Sequence, residues 1–260
     1  AYDGYVAYNI KNDDVEEYGA KKIIIPKVNA LLKRLHDEGI YAIARVTVFQ
    51  DPVLAKARED LAIQSKFGGV WRDNKGLAWL DPASREVWDY TVAISKDILT
   101  RGFDEINFDY IRFPSDGDLA KMSFPFYNAS TSKKAIIGDF FRHLRAELPG
   151  AKMSADLFGL STIDSGDLGI GQMIETAYAY FDFAAPMVYP SHYAKGFMGY
   201  QNPSFFPYEV VKYSMETALS RLNKMKAKSS AATSTALYPI GYTLNSKLRP
   251  WLQDFDLGAD

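Results

Sequence analysis

Residues 81–113 read DPASREVWDYTVAISKDILTRGFDEINFDYIRF, and this stretch decides the fold. Asp81 before Pro82 has the form of a cap with proline at the first helical position, so a helix is expected from there to Arg101-Gly102. EINFDYIRF (105–113) follows at once as a strand. The same unit recurs on both sides. Upstream, KKIIIPKVNALLKRLHD (22–38) sets Ile, Val and Leu at helical spacing and stops at Gly39, and YAIARVTVF (41–49) is a strand too apolar to lie exposed. Downstream, a helix over 131–148 ends at Pro149-Gly150 and leads into the strand KMSADLFG (152–159). A helix near 170–179, the strand FDFAAPMVY (181–189), a helix near 207–225 and the strand KLRPWLQDF (247–255) complete the series. Strand and helix in alternation mean parallel βαβ units and an α/β fold.

The connections narrow this further. Helix-to-strand links are short, whereas strand-to-helix links are long, covering 50–81, 114–130, 160–169 and 190–206. A (β/α)8 TIM barrel builds its site from loops at the C-terminal ends of its strands, which is where all the long links fall. A doubly wound sheet shares the asymmetry, but no G-x-G-x-x-G follows any strand. A single barrel domain over 1–260 is the expectation. Lys224 to Ala236 is low in complexity and reads as a solvated helix end plus a flexible link.

Composition excludes several classes. The chain has 260 residues, 30 Lys+Arg against 32 Asp+Glu, and 47% hydrophobic residues, so it is an ordinary globular protein and not a disordered one. Without a basic excess it is a poor nucleic-acid binder, and no apolar run reaches the ~18 residues of a membrane span. Cysteine is absent, which removes disulfides, thiolate nucleophiles and Cys-ligated zinc. No His-x-His or H-E-x-x-H occurs, so no metal or other cofactor is expected. Aromatic residues make up 14%, many of them Tyr, which suits surfaces that stack on ring-shaped ligands.

Alternation along each strand selects the interior residues. Glu105, Asn107 and Asp109 share one face, with Ile106, Phe108 and Tyr110 on the other, and Asp109 lies nearest the C-terminal mouth. The same parity pairs Ser154 with Asp156, Arg45 with Thr47, Met187 with Tyr189, and Arg249 with Trp251 and Gln253. A purely structural barrel would fill such positions with Val, Ile and Leu, so polar groups there point to an enzyme. Adjacent strands lie ~4.8 Å apart, close enough for Asp109 and Asp156 to flank one bond of a ligand. Such a pair suits glycoside hydrolysis, with one carboxyl protonating the leaving oxygen and the other attacking carbon or activating water. Arg45 or Arg112 is expected beside Asp109 to keep it ionised.

Those residues lie in longer motifs. GFDEINFDYIRFP (102–114), MSADLFG (153–159), APMVYPSHY (185–193), RPWLQDF (249–255), IARVTVFQDP (43–52) and GGVWRDNKGLAWLDPASREVWDY (68–90) resemble, in order, a bacterial domain family of unknown function regarded as glycosyl hydrolases. The resemblance implies a TIM barrel distantly akin to the alpha-amylase superfamily, acting on carbohydrate outside the cytoplasm. It also implies that Asp109 falls on the position of the nucleophile and Asp156 on that of a second acid. Members of that family carry further strands before the segment matching DGYVAYN (3–9) and after RPWLQDF, so the resemblance implies an incomplete barrel of five or six strands here, open on one side.

Other side chains are read more weakly. Tyr189, His192, Trp251 and Gln253 are candidates for sugar contact at the mouth, with Trp71 and Trp79 as further sugar platforms and Trp88 as core. His36 and His143 read as solvated surface, and the acidic pairs at Asp116 to Asp118 and Asp164 to Asp167 as turns. The rival functions are a non-catalytic carbohydrate-binding barrel and a different barrel hydrolase such as a deacetylase; the second lacks metal-ligand spacing.

Overall fold

The computed structural model describes residues 3–231 and 246–255. The chain divides into two compact units, Ala1–Met153 with Gly169–Gly171, and Ser154–Leu168 with Gln172–Asp260. Both are mixed α/β with parallel strand pairing.

In the first unit β1 (Val6–Tyr8), α1 (Asp13–Glu17) and β2 (Lys21–Ile25) form a parallel βαβ unit, followed by α2 (Val28–Asp37) and β3 (Ile43–Thr47). The expected helix over 22–38 is therefore a strand and then a helix. Three consecutive β-branched isoleucines favour extended backbone, and Pro26 separates them from the helix. After β3 come the short α3 (Pro52–Ala57) and β4 (Gln64–Ser65), then α4 (Arg85–Arg101), β5 (Glu105–Asp109), β6 (Met122–Ser123) and α5 (Lys133–Glu147). α4 starts three residues later than the Asp81-Pro82 signal implies, with the Ser84 hydroxyl accepting from Val87 N. Asp81 instead binds the loop after β5, its Oδ2 accepting from Phe126 N at 2.7 Å and Tyr127 N at 2.9 Å. At the other end Gly102 adopts φ +97°, the left-handed stop that a side chain would resist.

β3 and β5 pair in parallel from Ile43↔Glu105 to Thr47↔Asp109. The two long connections leaving them pair with each other, β4 antiparallel to β6, so they gather at the C-terminal end of this strand pair. All five residues of β5 are buried, and aromatic rings form the core beside them: Phe140 lies 5.0 Å from Phe49 and 5.5 Å from Trp88.

The second unit holds β7 (Met153–Phe158), α6 (Ile174–Tyr180), β8 (Phe183–Val188), α7 (Pro207–Ala231), β9 (Lys247–Leu248) and β10 (Trp251–Leu252). β8 pairs in parallel with β7, β9 and β10. The expected strand over 247–255 is thus two short pieces parted at Arg249-Pro250, where proline lacks the donor a ladder needs. α7 continues to Ala231, so Lys224 to Ala231 belongs to a helix, and 232–236 of the expected link lies outside the described residues. Buried Val188, Tyr193 and Val210 anchor the core. Arg221 ties α7 down, donating to both Glu175 oxygens at 2.6 Å and to the Ser161 and Asp164 carbonyls. No helix among the described residues is long and apolar enough to cross a membrane.

Candidate active site

Asp109 ends β5 and is only 4% exposed. Each of its carboxylate oxygens meets a donor. Arg45, from the neighbouring strand, gives its Nη2 to Oδ2, and the backbone N of Tyr110 reaches Oδ1 at 2.6 Å. The second contact exists because the chain turns left-handed at Tyr110, with φ +52°. That conformation is costly for a side chain with a Cβ and ends the strand abruptly. It also breaks the alternation that would send Tyr110 to the apolar face. The Tyr110 ring stands edge-on to Trp79 at 5.7 Å, and the Arg112 guanidinium covers both rings, at 5.5 Å and 4.9 Å. Burial, then the Asp109 charge, pushes the Tyr110 phenol up. Arg112 is buried, and desolvation pulls it down to about 10, which still leaves a cation at neutral pH. Its Nη1 donates to Phe113 O at 3.0 Å and Ser115 Oγ at 3.1 Å, while Arg45 pairs directly with Asp109.

Two residues of this wall carry no mark of function in the sequence. Buried Asp73 accepts from Lys75 N, Leu77 N, Trp79 Nε1 and Gln50 Nε2, all at 2.9 Å. It thereby fixes the indole on which Arg112 rests. Its place before Asn-Lys-Gly signals only a turn. Gln50 must turn its NH2 to that carboxylate, and its buried Oε1 has no partner among the described residues.

In the second unit Asp156 on β7 is 2% exposed, and Trp251 on β10 gives its indole N–H to Oδ1 at 2.7 Å. Buried Gln172 braces the same strand, accepting from Phe158 N at 2.9 Å and donating to Asp156 O at 3.2 Å. Beyond the strand ends, Tyr189 packs edge-on against His192 at 5.3 Å and Phe255 at 5.4 Å, while Gln253 Oε1 accepts from Ser191 N at 3.1 Å. Trp251, Gln253, Tyr189 and His192 therefore gather at one end of β8 and β10. Phe255 joins them without having been marked by the sequence.

Other candidates fall elsewhere. Glu105 opens β5, four residues or ~13 Å of strand before Asp109, and meets the Tyr41 hydroxyl at 3.1 Å. Asn107 is buried midway between them. Trp71 and Trp79 are buried and so are not sugar platforms; their indoles donate at 3.0 Å to Asp118 O and at 2.9 Å to Asp73. Trp88 is core. His36 is exposed against Asp104, but His143 is half-buried, its ring 5.7 Å from Trp88, and is not simply solvated. Among the described residues no three His, Asp or Glu side chains converge as a metal site would require.

Comparison with known proteins gives this geometry a context. A crystal structure of a hypothetical protein from Ruminiclostridium thermocellum ATCC 27405 is 43% identical, covering 60% of this chain and 78% of that one, with TM-score 0.56. The PgaB (BpsB) glycoside hydrolase domain from Bordetella bronchiseptica is 16% identical over 70% of this chain and 60% of that one, TM-score 0.48. The α-galactosidase TtGalA from Thermus thermophilus is 16% identical over 65% of this chain and 33% of that one, TM-score 0.44. No curated protein matches the chain. The model of the family described as "Putative glycosyl hydrolase domain" matches residues 1–260 throughout. The chain belongs to that family, and with it to the glycosidases.

Proposed function

We propose that residues 1–260 form one (β/α)8-type barrel that cleaves a polysaccharide or oligosaccharide with retention, Asp109 acting as nucleophile and Asp156 as acid/base. The observation that carries the reading is the state of Asp109. A buried carboxylate with a guanidinium on one oxygen and a backbone N–H on the other has a cation beside it and is held in one orientation. A nucleophile needs that fixed aim at the carbon it attacks.

In the first step an Asp109 oxygen bonds to the anomeric carbon, the glycosidic C–O bond breaks, and the leaving oxygen takes the proton of Asp156. Trp251 fixes Oδ1 of Asp156 as an acceptor, so the transferable proton belongs on Oδ2. In the second step Asp156, now ionised, removes a proton from water as the water oxygen displaces Asp109. Retention requires the two carboxyls to stand ~5–5.5 Å apart. Arg45, Asn107, Arg112, Tyr189, His192, Trp251 and Gln253 are assigned to substrate contact, and Glu105 is set aside because of its place at the far end of β5. The extracytoplasmic setting implied by the family resemblance fits a polymeric substrate.

The test is reducing-end release from a panel of polysaccharides by wild type and Asp109→Asn. The reading expects release by the former and none by the latter. Equal release by both would refute it.

A further inference from the structure

The second unit carries a groove of about 850 Å³ between the chain leaving β10, the turn after β8 and the first turns of α7. Its lining includes Tyr208, Lys212, Gln253, Asp254 and Phe255. We infer that this groove binds a run of neutral sugar units of a polysaccharide chain, on one side of the bond that is cleaved, with Tyr208 and Phe255 as its platforms. The inference rests on the hydrolase reading only for its position relative to that bond.

Three features carry it. The first is place. Trp251, which holds Asp156, stands two residues before Gln253 and four before Phe255, so the groove continues outward from the candidate acid along one stretch of chain. The second is chemistry. Tyr208 is 70% exposed and Phe255 49% exposed, two rings in one groove and not a scattered surface residue. Flat aromatic faces suit the C–H faces of pyranose rings, while hydroxyl rims need hydrogen-bonding partners. Those partners are present. Ser191 N fixes the oxygen of the Gln253 amide, which turns its NH2 donors away from that backbone. Phe255 is itself braced edge-on by Tyr189 at 5.4 Å. The lining also holds one cation and one anion, Lys212 and Asp254, which favours a neutral chain over an acidic one. The third is size. About 850 Å³ lies near the top of the ~300–1,000 Å³ range of ligand sites, more than one sugar needs.

The test is native electrophoresis of the Asp109→Asn protein through gels containing soluble starch, galactomannan, mixed-linkage β-glucan, alginate or polygalacturonate. At least one neutral polymer should retard it. Tyr208→Ala and Phe255→Ala should each weaken that binding about fivefold, the worth of one aromatic contact, while Tyr208→Phe should preserve it. Melting temperatures should not move, since both rings are exposed. Retardation by no polymer, stronger retardation by the acidic ones, or unchanged binding in both alanine variants would each overturn the inference. So would a concentration-dependent dimer that the two alanine changes abolish, because a second copy would then be the occupant. Binding of a polymer that wild type never cuts would remove the hydrolase reading and leave the groove.

Discussion

Replacing Tyr110 separates its ring from its backbone. Tyr110→Ala and Tyr110→Gly both delete the ring, with its edge contact to Trp79 and its cover by Arg112, so those losses cancel between the two variants. They differ in the Cβ at φ +52°. A left-handed residue with a Cβ costs about 1–2 kcal/mol, and glycine returns about 0.4–1 kcal/mol of that through its freer unfolded chain. Glycine should therefore be the more stable variant by about 1 kcal/mol, or about 2–4 °C in Tm for a chain of this size. Circular dichroism melts of the two proteins measure it. Function should follow the same order, because the N–H at position 110 that holds Asp109 Oδ1 at 2.6 Å depends on this turn and not on the ring. If the alanine variant melts at or above the glycine variant, the backbone relaxes readily, and the left-handed turn is not what aims the N–H.

Other expectations concern the second carboxyl and the pH response. Trp251→Phe removes the indole donor at 2.7 Å from buried Asp156, a hydrogen bond to an ionisable group worth about 1.5–3 kcal/mol, so Tm should drop by several degrees and kcat should fall about 10- to 100-fold; unchanged kcat would separate Trp251 from the chemistry. Asp156→Asn should slow substrates with poor leaving groups far more than dinitrophenyl glycosides, which leave without a proton; equal slowing would deny it the acid role. Asp51 is buried at the start of α3, where desolvation pushes its carboxyl up to about 7. The folded state thus holds a proton that the unfolded chain releases near pH 4, so this stability is full below that pH and is lost as pH rises through about 7. Melting temperature should fall between pH 5 and pH 8, and Asp51→Asn, which keeps the cap, should flatten that slope; an unflattened slope would assign it to another group.

The sequence reveals the fold where periodicity and punctuation agree. Arg101-Gly102 and the buried run from Glu105 mark one helix-to-strand boundary, because a left-handed glycine and a strand buried on both faces leave few alternatives. KKIII defeats the same reasoning. Its isoleucines match a helical stripe as well as a strand, and only pairing with β1 decides between them. In the site, parity brings Arg45 and Asp109 to one face of paired strands, and the structure joins them. Parity fails at Tyr110 because it presumes extended backbone, and nothing in a tyrosine announces a positive φ. Trp71 and Trp79 look like platforms until their indole partners are known. Those partners, Asp118 and Asp73, are ordinary turn residues whose role emerges only when the loops after β3 and β5 fold together. Phe255 is hidden for a similar reason, since its meaning lies in the Tyr189 ring, 66 residues earlier in the chain.

The nucleophile itself can be caught. Wild type incubated with activated 2-deoxy-2-fluoroglycosides of the sugar it releases should stall at the covalent intermediate, because fluorine slows both steps while the good leaving group restores only the first. Proteolysis and mass spectrometry then locate the added sugar. The account predicts one sugar esterified to Asp109, in the peptide containing INFDYIR (106–112). A sugar on any other carboxylate, or none while the parent glycoside is hydrolysed, would contradict it.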